Sequence, residues 1–484
     1  MRNQTYIYYS FLLLMAMTGF SCRKFVSIPE PINSITSKTV FSTNAQAASA
    51  MAGIYTTMIN GPSGAGTAYA AFSNGLTTLL TGMSSDEFRI RGAADLIYTP
   101  YSTNSLLYSN SGCIPLWTSA YANIYGVNSI LEGMAASTSP GLTDSVRKEL
   151  TGEAKFVRAF CYFYLTNIFG DVPMALTVDF NKTIGLAKMS QAKVYQQIIS
   201  DLKDAVDLLA ADYSVGGGQR ICPNKWAAMA LLGRVYLYSG SYGDAVTQAS
   251  AVIGQTSTYE LASDLNQVFL ASSREAIWQL QQSTSILNQG TATAEGVALL
   301  PNTLYGYASA YGLSDELMNA WEPGDQRRVN WVGTDNTTTV LPFYSNKYKV
   351  GANSQLGAPA TEYYMVLRLA EQYLIRAEAL ARSGGDLVSA AGDVNVIRSR
   401  AGLGDLPAGL NADQVLEAVA HERQVEFFAE WGHRWLDLKR TGKAHDVLSQ
   451  ISYKMPWQGD YQLLYPIPQS DIKADPQLKQ NAGY

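Results

Sequence analysis

Residues 421–442 read HERQVEFFAEWGHRWLDLKRTG. Two of the chain's three histidines, His421 and His433, stand here with Glu422, Glu426, Glu430 and Asp437 among a run of aromatic rings. The residue types suit an acid–base or metal centre, but the spacing does not. A zinc-protease helix needs histidine at 425, where the chain has Val425. A nucleophile elbow needs Ser or Cys on a sharp turn, and the stretch contains neither. Laid on a helix, Phe427, Trp431 and Trp435 fall at i, i+4 and i+8 and form one buried stripe. Glu430–Arg434 and His433–Asp437 then become i,i+4 pairs along the same helix. The stretch therefore predicts a buried, ion-paired scaffold helix rather than a reactive centre.

Working outward, the same 3.6-residue period recurs in pairs. In PNKWAAMALLGRVYLYSGSYGDAVTQASAVI (223–253), Leu232, Gly233, Tyr236, Gly240 and Ala245 follow the order of a tetratricopeptide helix pair. A looser copy spans 373–403, a third joins 152–170 to 194–209, and a fourth joins 45–59 to 116–134. The expected fold class is mainly α, with tetratricopeptide-like pairs as scaffold. Between the pairs lie Gly-, Ser-, Thr- and Tyr-rich stretches at 61–112, 283–312 and 329–362, read as long loops. GPSGAGT (61–67) and VGGGQR (215–220) are turns, not phosphate cradles: the first lacks the P-loop lysine, and neither opens a helix after a strand.

Composition narrows the function classes. Charged residues make up 15% of the 484, the net charge is −5, and no long basic run exists, which argues against a nucleic-acid partner. Tyrosines number 30, an excess that suits wet recognition surfaces because each ring has an apolar face and a polar tip. Residues 1–21 read as a signal peptide with an apolar core, FLLLMAMTGF (11–20), too short to span a bilayer. Cys22 follows at once and is the expected lipid-attachment site, although Gly19 stands where such signals prefer leucine. Cys161 lies in an apolar helical run and reads as a buried thiol; a Cys113–Cys222 pairing is left open. No Cys or His spacing implies a metal, and no cofactor is expected.

The longer motifs carry a family resemblance. RLAEQYLIRAEALA (368–381), IRSRAGL (397–403), ERQVEFFAEWGHRWLDLKRTG (422–442) and LLYPIPQSDIKADPQLKQNAGY (463–484) resemble the C-terminal half of the SusD/RagB family. GEAKFVRAFCYFYLTNIFGDVPM (152–174) and NKWAAMALLGRVYLYSG (224–240) resemble its N-terminal half. The resemblance covers the mature chain, 22–484, divided near residue 220 into an N-terminal half (22–220) and a C-terminal half (221–484). It implies a non-catalytic outer-membrane lipoprotein of Bacteroidetes. Such a protein binds a nutrient, usually a glycan, and passes it to a SusC-like TonB-dependent transporter. These motifs are scaffold and bring no binding residues with them.

Candidate ligand residues therefore come from the loops. Sugars present apolar C–H faces ringed by hydroxyls, so their sites combine aromatic platforms with a few fixed polar groups. Tyr98, Tyr101, Tyr305, Tyr307, Tyr311 and Trp331 are the candidate platforms, with Asp86, Arg89 and Asn104 as polar partners. Trp321 is set aside because SDELMNAWEPGDQRR (314–328) resembles a family scaffold motif. A peptide or other non-glycan nutrient is the alternative ligand. A glycoside hydrolase would need two facing carboxylates. Asp86, Glu87, Glu295 and Asp325 form no recognisable constellation for that reaction.

Overall fold

Every periodic segment is helical in the computed structural model, which describes residues 40–61, 71–92, 95–284, 289–302 and 308–484. The helices used below are α1 (Asn44–Asn60), α2 (Thr77–Ser84), α3 (Ile114–Ala136), α4 (Asp144–Phe169), α5 (Gln191–Leu208) and α6 (Lys225–Ser239). They continue with α7 (Tyr242–Ile253), α8 (Leu369–Arg382), α9 (Leu387–Arg400), α10 (Ala412–Phe427) and α11 (His433–Arg440). Leaving out the short α2 and α11, each helix packs on the next in chain order, from α1 on α3 through to α9 on α10. That is the nearest-neighbour stacking of a tetratricopeptide solenoid.

Local chemistry explains the ends. The Asn224 side chain accepts from the Ala227 amide and starts α6. Gly240 closes that helix at φ 81°, which lets the Ser241 amide reach the Tyr236 carbonyl at 2.9 Å. Between helices, bidentate ion pairs act as cross-braces. Arg158 on α4 holds Asp201 on α5, Arg234 on α6 holds Glu371 on α8, and Arg440 on α11 holds Glu378 on α8. The centre of the main core is aromatic: Phe156 and Phe160 of α4 meet the Trp278 ring edge-on at 4.8 and 5.1 Å. A second, smaller core joins α8, α9 and α10.

Short antiparallel ribbons fill the space beside the stack. β1 (Phe88–Ile90) pairs with β3 (Tyr311–Leu313), β2 (Ala276–Leu280) with β6 (Tyr364–Arg368), and β4 (Val332–Thr334) with β5 (Phe343–Ser345). All three stretches read as loops thus contribute core. Residues 72–84 are buried throughout, and Trp331 is fully enclosed. Cys113, Cys161 and Cys222 are free thiols, so the Cys113–Cys222 pairing is not formed, and Cys161 is buried as expected.

The opening stretch is scaffold, but not as one helix. α10 stops at Phe427 and α11 starts at His433, and Ala429, Trp431 and Gly432 between them adopt φ values of 58°, 48° and 73°. A Cβ at Gly432 would lie 2.2 Å from Thr81 Oγ1, so the turn needs glycine for space as well as conformation. The expected pairs along the helix are replaced by distant ones. Glu430 binds Lys347 and Arg368, Arg434 binds Asp86, and His433 Nδ1 faces Arg423. Glu430 lies in the turn between the helices, so its i,i+4 geometry is lost, and these buried charges are compensated by partners from other elements.

Candidate functional site

The face that holds two of the sequence candidates, Tyr98 and Tyr311, is built on the β1–β3 ribbon and residues 95–110. Asp95 shapes the start of that segment: its Oδ1 accepts from the Ile97 and Tyr98 amides, each at 2.7 Å. This is the Asx-turn geometry that aspartate favours. A short helix, Thr99–Ser102, follows and packs on β1. In the ribbon Ile90 pairs with Tyr311 and Arg89 with Gly312. Alternation along the strand then puts Arg89 on the face opposite Ile90 and Tyr311.

Tyr98 and Tyr311 come together. Burial raises the Tyr311 phenol, and the nearby Tyr98 and Asp95 raise it further. Both rings are partly buried and packed on the core. Leu96, in the same segment, is 94% exposed, and Tyr108 is 50% exposed. Arg91 ties the face to the neighbouring hairpin, donating to the carbonyls of Ser309, Leu341 and Phe343. Arg89 lies at the margin, with its guanidinium 4.4 Å from the centre of the Tyr453 ring and 3.9 Å from Asp315.

Four sequence candidates are corrected by burial. Trp331 donates its Nε1–H to Leu265 O at 2.9 Å and packs on Phe269, so its ring faces the core and not a ligand. Tyr101 is fully buried edge-on against Tyr465 at 5.2 Å and anchors the segment from below. Asn104 is buried and bonds Lys454. Asp86 is buried in a bidentate pair with Arg434 at 2.8 and 2.6 Å. Tyr305, Tyr307 and Cys22 lie outside the described residues. Sequence reasoning missed Asp95, Tyr108 and Arg91; the Asp-x-x-Tyr order at 95–98 was the available signal for the turn.

The carboxylates weighed for hydrolysis are also internal. Asp325 holds Arg327, and Glu295 accepts from Thr78 Oγ1 at 3.2 Å. Burial pushes Glu87 up to about 8 and Glu295 up to about 7. A raised carboxyl stabilises the fold below the unfolded value of 4.5, and that stability is lost as pH rises through the folded value. Glu295→Gln should therefore gain on the wild type by a few kcal/mol between about pH 4.5 and 7. Urea unfolding across that range measures it, and a pH-independent difference would show that Glu295 is ionised in the fold.

A family model described as the SusD family matches residues 320–484, and one described as starch-binding associating with outer membrane matches 58–237. SusD-like protein P2 of Formosa agariphila is 27% identical over 416 residues, covering 76% of this chain and 80% of the relative. Starch-binding protein SusD of Bacteroides thetaiotaomicron is 25% identical over 435 residues, 71% of this chain and 74% of the relative. Among solved structures, surface glycan-binding protein A from Bacteroides thetaiotaomicron in complex with laminarihexaose shares the fold at TM-score 0.75. It is 19% identical, covering 91% of this chain and 99% of that one. The chain belongs to the SusD/RagB family.

Proposed function

We propose that this protein is a non-catalytic cell-surface lipoprotein that binds an oligo- or polysaccharide and delivers it to a SusC-like TonB-dependent outer-membrane transporter. The observation that carries the ligand class is the pairing of Tyr98 and Tyr311 beside Asp95 on an exposed face. The partly exposed rings give platforms for sugar C–H faces, and the Tyr98 hydroxyl with the Asp95 turn gives polar partners. Tyr305 and Tyr307 join the proposed site by their place in the sequence just before Tyr311. The starch-binding relative and the neighbour solved with laminarihexaose support a glucan-type ligand.

Isothermal titration with laminarihexaose and maltohexaose tests this reading. Saturable binding to at least one is expected, nearly independent of salt because stacking and neutral hydrogen bonds respond little to screening. Tyr98→Ala and Tyr311→Ala should each weaken it by about 1 kcal/mol, several-fold in affinity. Binding untouched by both changes together would remove the site from this face.

Anchoring and delivery are part of the same proposal. No helix among the described residues is long and apolar enough to cross a membrane. In this reading the Cys22 lipid supplies the attachment and a separate barrel carries the cargo. Cys22→Ala should shift the protein from the membrane to the soluble fraction. A tagged copy purified from its native host in mild detergent should bring down a barrel of the transporter class. Recovery of the protein alone in several detergents, with glycan present, would speak for an independent surface binder.

A further inference from the structure

The C-terminal segment sends a lysine beneath the ligand face. Lys454, at the end of the turn Ser452–Lys454, is 1% exposed. Its Nζ donates to four oxygens: Met83 O at 3.0 Å and Ser84 O at 3.1 Å where α2 ends, Ser102 O at 2.8 Å, and Asn104 Oδ1 at 2.6 Å. No carboxylate is among these partners. An all-oxygen cage of this kind is the chemistry that holds a hard cation, and here the cation is supplied on a tether. Burial pulls the Lys454 ammonium down to about 7, while Asp86 and Glu316 nearby and four acceptors around three protons support its charged form.

Two further observations tie this cage to the ligand face. Asn104 adopts φ 47°, a left-handed conformation that asparagine tolerates better than other non-glycine residues. That conformation accompanies the Asn104 Oδ1 contact to Lys454. Eight residues after Lys454, Gln462 clasps the Leu106 backbone from both sides, accepting its amide at 2.8 Å and donating to its carbonyl at 2.9 Å. The stretch bearing Tyr98 is thus held at two points by one C-terminal segment, and Tyr98 sits one short helix before the first of them.

We propose that Lys454 is a positioning residue for the ligand face: its ammonium locks residues 98–104 onto the end of α2 and so fixes where Tyr98 stands beside Tyr311. The proposal rests on reading that face as the glycan site, and its test separates the two. Hydrogen exchange reports the clamp without any ligand, and titration with laminarihexaose and maltohexaose reports its effect on binding. In Lys454→Met, amides of 98–106 should exchange at least tenfold faster while those of α8 and α9 keep their protection. Affinity for whichever glucan binds should fall at least tenfold. In Lys454→Ala, propylammonium should restore both protection and affinity, whereas propanol, which lacks the charge, should restore neither.

Unchanged protection of 98–106 in Lys454→Met overturns the proposal, as does lost protection with full affinity. Should Lys454→Met fail to fold, Asn104→Gly carries the test, because it keeps the left-handed backbone and removes one oxygen of the cage. Several-fold faster exchange and weaker binding are then expected, and wild-type values overturn the proposal. If the wild type binds neither glucan, the ligand reading falls, and exchange in 98–106 alone decides whether the clamp exists.

Discussion

Replacing Glu426 by alanine is expected to destabilise the protein by about 3–5 kcal/mol, the usual cost of removing one partner from a buried ion pair. Glu426 is the hub of a buried network. Its Oε1 accepts from Arg368 at 2.5 Å and from Arg400, and its Oε2 accepts from Arg327 at 2.9 Å. Burial alone would raise this carboxyl, but Arg400, Arg368 and Arg327 outweigh it and hold it well below the usual range. Alanine would leave three guanidiniums facing one another with Glu275, Glu422, Glu430 and Asp325 to share among them. Glu426→Gln keeps the shape and one acceptor but loses the charge, so it should fall between alanine and wild type. Urea unfolding measures both. A loss below about 1 kcal/mol for alanine would mean that the remaining carboxylates already neutralise the arginines.

This network shows where sequence reading succeeds and where it stops. Helix pairs were legible because each carries its own period, its small residues and its caps, all local signals; Gly240 and Asn224 bound α6 where the pattern places them. Glu422, Glu426 and Glu430 were legible as buried scaffold, since no catalytic spacing fitted them. Their partners were not, because Arg327, Arg368 and Lys347 lie 50 or more positions away and only folding brings them together. The ligand face suffers from the same limit. Tyr98 and Tyr101 are three residues apart in one aromatic stretch, yet one lines the exposed face and the other is sealed by Tyr465. Trp331 looked like a loop platform because its enclosure by Phe269 and the Leu265 carbonyl comes from 60 residues upstream. Burial of a ring is set by distant partners, and local composition does not report it.

Trp431→Ala is expected to cost about 3–5 kcal/mol, as for other large buried rings. The residue stands where the chain turns from α10 to α11, so its loss strikes both packing and the turn. Its ring meets Phe160 at 5.5 Å and Tyr164 at 5.6 Å, both on α4, and its Nε1–H donates to Met365 O at 2.7 Å. Its own amide donates to Thr78 Oγ1 on α2 at 3.0 Å. One side chain and its backbone therefore join α4, β6 and α2 at a point where φ is 48°. Alanine keeps the strained backbone but removes the contacts that offset it, and it leaves the Met365 carbonyl without a donor. Trp431→Phe retains most of the ring and loses the hydrogen bond, so it should cost about 1–2 kcal/mol. The order alanine, then phenylalanine, then wild type in urea unfolding is the expected result. Glucan affinity of the folded fraction should not change, because the ring lies inside the aromatic core and away from Tyr98 and Tyr311. A Trp431→Ala protein that unfolds like wild type yet no longer binds glucan would overturn the scaffold assignment of 421–442 and place a ligand contact there.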